Sequence, residues 1–305
     1  MSDVISDLGG PRVSPLRWLR EKSPASVYSA KQFMSKTKNN PDLVAGVAIL
    51  LSLILMAIFA PRVAPRSPYE QDIVGRLAPP FWMKEGSADH ILGTDGLGRD
   101  VFSRIIFGAR ISLIVAISAV ALAGTIGLVV GLLTGYFGGW LDTLMMRWVD
   151  IQLSIPFVIF AIVFLVFFGS NLFNLIAALG LWGWMSYARL IRSTTMRIKE
   201  QLFIEAARAI GASTRRILFR HILPNVLGIF VVVAALQIGT MILVESFLSF
   251  IGLGVQPPTP SWGIMLYEGR PYLFQVPWLG IFPGVAIFIT VLGVNLFGDG
   301  LKKQR

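Results

Sequence analysis

Residues 205–225 read EAARAIGASTRRILFRHILPN, a basic, alanine-rich stretch lying between two runs apolar enough to cross a membrane. Just upstream and within it, Ile198, Leu202, Ala206 and Ile210 fall on one helical face. Gly211 follows directly and can take the left-handed conformation that ends a helix. Ser213 or Thr214 can then cap a second short helix through Ile217, Leu218 and Ile222, expected to stop near Pro224. The spacing therefore predicts helix, turn, helix. Ala206 and Ala207 leave a shallow face suited to insertion into a partner's groove. An amphipathic helix lying on lipid headgroups satisfies the same spacing, so both readings stand at this point.

The rest of the chain fixes the surroundings of that stretch. Of 305 residues, 54% are hydrophobic and only 14% charged, and the mean hydropathy is positive. Such a composition takes lipid as its main solvent. The formal charge of +10 fits basic loops held on one side of a bilayer rather than nucleic-acid binding. With no cysteine, thiolate metal sites and disulfides are excluded. Residues 1–42 are polar and basic, with Arg12, Arg17, Arg20, Lys22, Lys31, Lys36 and Lys38, and do not read as a cleavable signal peptide.

Six segments are long and apolar enough to be predicted spans: 43–60, 111–134, 151–169, 172–188, 226–248 and 278–298. Pro156 and Pro283 read as kinks within spans rather than stops. Gly124, Gly127, Gly131 and Gly135 recur on one face of the second span and predict close helix packing. The segment 189–220 carries eight bases against Glu200 and Glu205, whereas 249–277 carries only Arg270. The positive-inside rule then places both termini and the basic loop in the cytoplasm. The long loop 61–110 has seven bases and six acids, and long loops translocate largely regardless of charge.

Polar groups inside spans are the default functional candidates. Gln237, Glu245 and Asn295 are the candidates for a translocation path. An interhelical hydrogen bond competes with that role for Gln237, and placement in water or beside a neighbour competes for Glu245. Arg147 and Asp150 are spaced for a helical ion pair. Catalysis finds no support: no G-x-x-x-x-G-K-[ST] loop is present, and no nucleophile–base pair can be assembled. His90 and His221 are the only histidines and fall on opposite sides of the expected membrane, so no metal site or cofactor is expected.

Several stretches resemble one family. Glu205-Ala206-Ala207, Gly211 and Leu223-Pro224 are similar to the EAA loop of ABC-importer permeases, and Arg220-His221-Ile222-Leu223-Pro224-Asn225 resembles the dipeptide/oligopeptide/nickel branch. Leu92-Gly93-Thr94-Asp95, Gly98-Arg99-Asp100 and Gly108-Ala109-Arg110-Ile111-Ser112-Leu113 agree with that branch. So do Gly135-Tyr136-Phe137-Gly138-Gly139, the run Leu248 to Gly254, the run Pro257 to Gly263, and the run Asn295 to Leu301. The resemblance spans about 41–301 and is to the second, C-type permease of a pair. The family often continues past Gly-Asp-Gly-Leu with an Arg-Asp…Asp-Pro-Arg ending, where this chain has Lys302-Lys303-Gln304-Arg305.

That resemblance implies an all-α integral membrane protein with six transmembrane helices, the type I ABC-importer permease fold, in a bacterial inner membrane. The expected organisation is a cytoplasmic segment 1–42, a first span 43–60, an extracytoplasmic loop 61–110 and a permease core 111–298. The core contains a cytoplasmic EAA loop 189–225 and an extracytoplasmic loop 249–277, and 299–305 forms a cytoplasmic tail. The implied partners are a second homologous permease chain, two ATPase subunits that bind ATP and Mg, and an extracytoplasmic substrate-binding protein. The resemblance assigns Glu205, Ala206, Ala207, Gly211, Leu223 and Pro224 to the ATPase contact; Arg208 can add electrostatic steering there, with a solvated positive-inside face as the competing role. The implied substrates are di- or oligopeptides, with nickel or another peptide-like solute on the same architecture as alternatives. A secondary transporter or channel is the rival from another class, but no internal repeat and no central acid supports it.

Overall fold

In the computed structural model, residues 40–303 are described. Expectations for 1–39 and for Gln304 and Arg305 fall outside them. The regular secondary structure of the described residues is helical apart from one bridge between Thr94 and Asp100. Helix α1 covers Pro41–Ile58 and α2 Ala60–Val63; after a long loop, α3 covers Val101–Phe137. Helices α4 (Gly139–Ser154), α5 (Phe157–Phe168) and α6 (Leu172–Lys199) follow, then the short α7 (Leu202–Ala209) and α8 (Thr214–Arg216). A π-helical turn, Ile217–Ile222, leads into α9 (Leu223–Phe250). Short α10 (Trp262–Gly269) and long α11 (Trp278–Lys303) complete the order.

Four helical stretches are long and apolar enough to span: Pro41–Ile58, Val101–Phe137, Thr214–Phe250 and Trp278–Lys303. The expected third span is instead a broken pair, α4 and α5, bent by 89°. Pro156 takes an extended conformation between them, so it separates two helices rather than kinking one. Its ring clashes with continued helix and its nitrogen offers no hydrogen bond. The fourth expected span lies in α6, which continues to Lys199. Trp182, Trp184, Tyr187 and Arg189 dilute its hydropathy, and four of the bases expected in a loop, Arg189, Arg192, Arg197 and Lys199, are on this helix.

Two further boundaries move. Residues 101–110 belong to α3 rather than to an extracytoplasmic loop. Asp100 starts that helix early by accepting a hydrogen bond from the Ser103 N–H at 2.8 Å, and His90 Nδ1 lies 3.1 Å from the other Asp100 oxygen. Nor does Pro224 stop a helix. The Leu223 N–H donates to the Leu218 carbonyl, five residues back, and the wider turn carries the chain through into α9. Pro224 therefore sits in the first turn of α9, where its missing N–H is tolerated.

The glycine stripe does what its spacing predicts. A side chain added at Gly127 would meet Tyr187 Cβ and the Trp184 carbonyl; at Gly131 it would meet Ile191 and the Ala188 carbonyl. At Gly135 it would meet Thr195 and the Arg192 carbonyl, every such distance being under 3.0 Å. The stripe lets α6 lie directly on the α3 backbone, so the two helices act as one beam. Two apolar cores result: a main one running through the spans, and a small one of Tyr136, Ile191, Ile198, Ile204, Ile217, Ile222 and Val226 beneath the basic turn.

Candidate functional site

The basic turn is built on the ends of three long helices. Tyr136, buried in the last turn of α3, receives a hydrogen bond from Lys199 Nζ on its carbonyl oxygen at 2.6 Å. That satisfies one of the carbonyls a helix C-terminus leaves unpaired, and a cation there opposes the helix dipole. The same Lys199 nitrogen lies 5.6 Å from the Tyr136 ring centre, and the Arg208 guanidinium lies 5.8 Å from it. One aromatic residue thus meets cations from both sides of the turn between α6 and α7.

Helix α7 ends in a defined cap. Gly211 has φ +80°, its N–H donates to the Arg208 carbonyl, and the Ala212 N–H donates to the Ala207 carbonyl, both at 2.9 Å. This pair of bonds closes a helix only when the residue after its cap is left-handed, which suits glycine. Ser213 then caps α8, its Oγ accepting from the Arg216 N–H at 3.4 Å.

The buried face of α7 differs from the expected one. Ile204 packs into the small core with Ile198 of α6, and Ala207, expected beside Ala206 on the face offered to a partner, is buried instead. Leu202 and Ile210 are 82% and 86% exposed, with Ala206 exposed between them. Ile198 leaves the predicted stripe because Glu200 and Gln201 break the helix between it and Leu202. The result is a short helix with one apolar face anchored inward and a second directed outward. Glu205 flanks the outward face; Leu223 is half-buried and Pro224 exposed on the adjoining helix.

Ion pairs brace the flanking helices. Arg192 binds Asp142, and Arg189 binds Asp150, both linking α6 to α4. The expected Arg147–Asp150 pair is replaced, because α6 brings Arg189 to the same carboxylate.

The three candidate path residues do not form one site. Asn295 on α11 lies beside Gly239 of α9, 3.8 Å from where a Cβ would stand, and is exposed. Gln237, half-buried, is two residues away on α9, and no interhelical side-chain hydrogen bond to it is seen among the described residues. Glu245 is elsewhere and fully buried. It accepts hydrogen bonds from Ser249 Oγ at 2.7 Å and from Ser112 Oγ of α3 at 3.2 Å, with Ser246 Oγ at 3.4 Å. Fully buried, it does not stand in water.

One cluster carried no role in the sequence reading. Near the opposite end of α3 from the basic turn, Arg99 binds Asp95 at 2.7 Å and Glu268 at 2.8 Å, and Arg104 binds Asp95 and Glu268, the latter at 2.7 Å. Two guanidinium and two carboxylate groups balance in charge and tie the long loop to α10. The motifs holding Asp95 and Arg99 were visible, but their partner Glu268 is 169 residues away from Arg99. Among the described residues no group of His, Asp and Glu could hold a metal ion.

Comparison with known proteins places this geometry in context. Residues 127–304 match the family described as "Binding-protein-dependent transport system inner membrane component". Residues 30–80 match "N-terminal TM domain of oligopeptide transport permease C". A dipeptide transport system permease protein, DppC, of Alkalihalophilus pseudofirmus is 41% identical over 283 residues, covering 92% of this chain and 91% of that one. The oligopeptide permease OppC of Bacillus subtilis is 39% identical, covering 99% and 97%. A glutathione transport system permease, GsiD, of Pectobacterium atrosepticum is 40% identical, covering 93% and 92%. Among solved structures, an inward-facing MetNI methionine ABC transporter chain superposes with a TM-score of 0.53 at 22% identity, over 66% of this chain and 95% of that one, a likeness of fold.

Proposed function

The chain belongs to the binding-protein-dependent transport inner-membrane component family, and from that premise we propose that it is one permease subunit of an ATP-driven importer of di- or oligopeptides. In this reading a second permease chain completes the path and an extracytoplasmic binding protein delivers the solute. Two ATPase subunits, which hold ATP and Mg, dock on α7 and drive alternating access. The chain itself is non-catalytic.

The observation that carries the proposal is the two-sided α7. Its inner face locks to α3, α6 and the π turn through Tyr136, Ile198, Ile204 and Ile217. Its outer face offers Leu202, Ala206 and Ile210 to a groove. Force applied there reaches the membrane through rigid, contiguous elements. From Thr214 to Phe250 the chain is helical for 37 residues, about 55 Å at ~1.5 Å per residue. A tilt imposed at the basic end therefore reaches Glu245 and α10 at the other. Peptide-like substrates are supported by the names of the relatives, which include dipeptide, oligopeptide and glutathione permeases.

The test is reconstitution with the partner subunits in proteoliposomes. Uptake of a labelled dipeptide should require ATP, the binding protein and the ATPases together. Uptake that persists without the ATPases would make the chain a secondary transporter instead.

A further inference from the structure

We infer that the basic pocket at the start of α9 holds the phosphate headgroup of an anionic phospholipid from the adjacent leaflet. Ser213, Arg215, Arg216, Phe219 and Arg220, all exposed, line an open surface pocket of about 400 Å³. No carboxylate pairs with any of the three arginines among the described residues. This contrasts with Arg189 and Arg192 on α6, both of which are neutralised by aspartates. Three forked guanidinium groups lining one open pocket suit a phosphate, whose oxygens accept several hydrogen bonds at once.

Position selects the source of that phosphate. The helical stretch Thr214–Phe250 is about 55 Å long at ~1.5 Å per residue, against a hydrocarbon core of ~30 Å, so it is long enough to cross the hydrocarbon with its basic first turns outside it. Phe219, 62% exposed beside the arginines, has the amphipathic neighbourhood of a membrane interface. Below the pocket, Arg220, Pro224, Leu227 and Val231 are all exposed at helical spacing. One stripe thus passes from charge to apolar surface over three turns. A lipid matches that order with its phosphate above and an acyl chain below. A soluble anion uses only the upper part, and an acidic protein has no need of the lower part. The inference is independent of what the chain transports.

The experiment is native mass spectrometry of the purified full chain from nanodiscs of phosphatidylcholine mixed equally with phosphatidylglycerol. The wild type should retain phosphatidylglycerol preferentially. Arg216→Gln and Arg220→Gln should each reduce that preference about fivefold, the effect of one basic residue at an anionic surface. Arg220→Lys should retain most of it, and Leu227→Gln should weaken it by removing acyl contact. Arg197→Gln, which deletes an exposed base outside the pocket, should leave it unchanged. Equal retention of both lipids overturns the inference. So does an equal loss in Arg197→Gln, which would mean diffuse charge, or displacement by inorganic phosphate, which would mean a soluble-anion site. Pocket variants that keep the lipid preference, while the same variants in the assembled complex lose bound ATPase subunits, would overturn it in favour of protein docking.

Discussion

The guanidinium of Arg208 and the lysine nitrogen of Lys199 both stand over the ring of Tyr136, at 5.8 Å and 5.6 Å. Tyr136 therefore joins the end of α3 to α7, the helix that faces outward, and to the end of α6. Tyr136→Phe should preserve coupled uptake, because the contacts use the ring and the backbone carbonyl. Tyr136→Ala should leave the protein inserted but uncouple ATP turnover from uptake, lowering transport per ATP. Equal loss in both variants, measured in proteoliposomes, would show that the hydroxyl rather than the ring matters.

Gly211→Asp places a side chain at φ +80°, where open space surrounds the added Cβ. The backbone cost is about 1 kcal/mol or less, since aspartate tolerates this region better than most residues. Membrane insertion should be normal while ATPase assembly or uptake falls, because charge now stands beside the outward apolar face. Quantified co-purification of the ATPases checks this.

Gly131→Leu has no such space. A side chain there meets Ile191 and the Ala188 carbonyl under 3.0 Å. Separating α3 from α6 should cost about 1–3 kcal/mol or more and reduce the yield of folded protein, read by size-exclusion of the solubilised chain. A normal yield and melting temperature would contradict the beam formed by these helices.

Glu268→Gln removes one of the two carboxylates facing buried Arg99 and Arg104. Leaving an uncompensated buried charge costs about 3–5 kcal/mol. Thermal stability should therefore drop clearly, and the added change Arg104→Met should restore part of it. Additive losses in the double variant would sink the charge-balance account.

Much of this architecture was legible because it rests on local pattern. The glycines at 127, 131 and 135 announced a close helix pair, while Gly124 of the same stripe packs on Phe230 of α9, and Gly211 before Ser213 announced a cap and a restart. What could not be read depended on distant partners or on a change of helical register. Pro224 looked like a stop, but the π turn before it absorbs the proline. Asp150 looked paired to Arg147 until α6 brought up Arg189. Glu245 gave no sign of its burial because Ser112 lies 133 residues away. The inward face of α7 was misplaced by a break at Glu200 and Gln201 that no periodicity reveals.

The most direct measurement is site-specific photo-crosslinking from Ile210 in the assembled complex, with Ile204 on the opposite face of α7 as the reference. An outward socket predicts crosslinks from Ile210 to an ATPase subunit, lost when Leu202→Asp is added, and none from Ile204. Crosslinks from Ile210 to lipid alone, or to no ATPase in a complex that still transports, would contradict it.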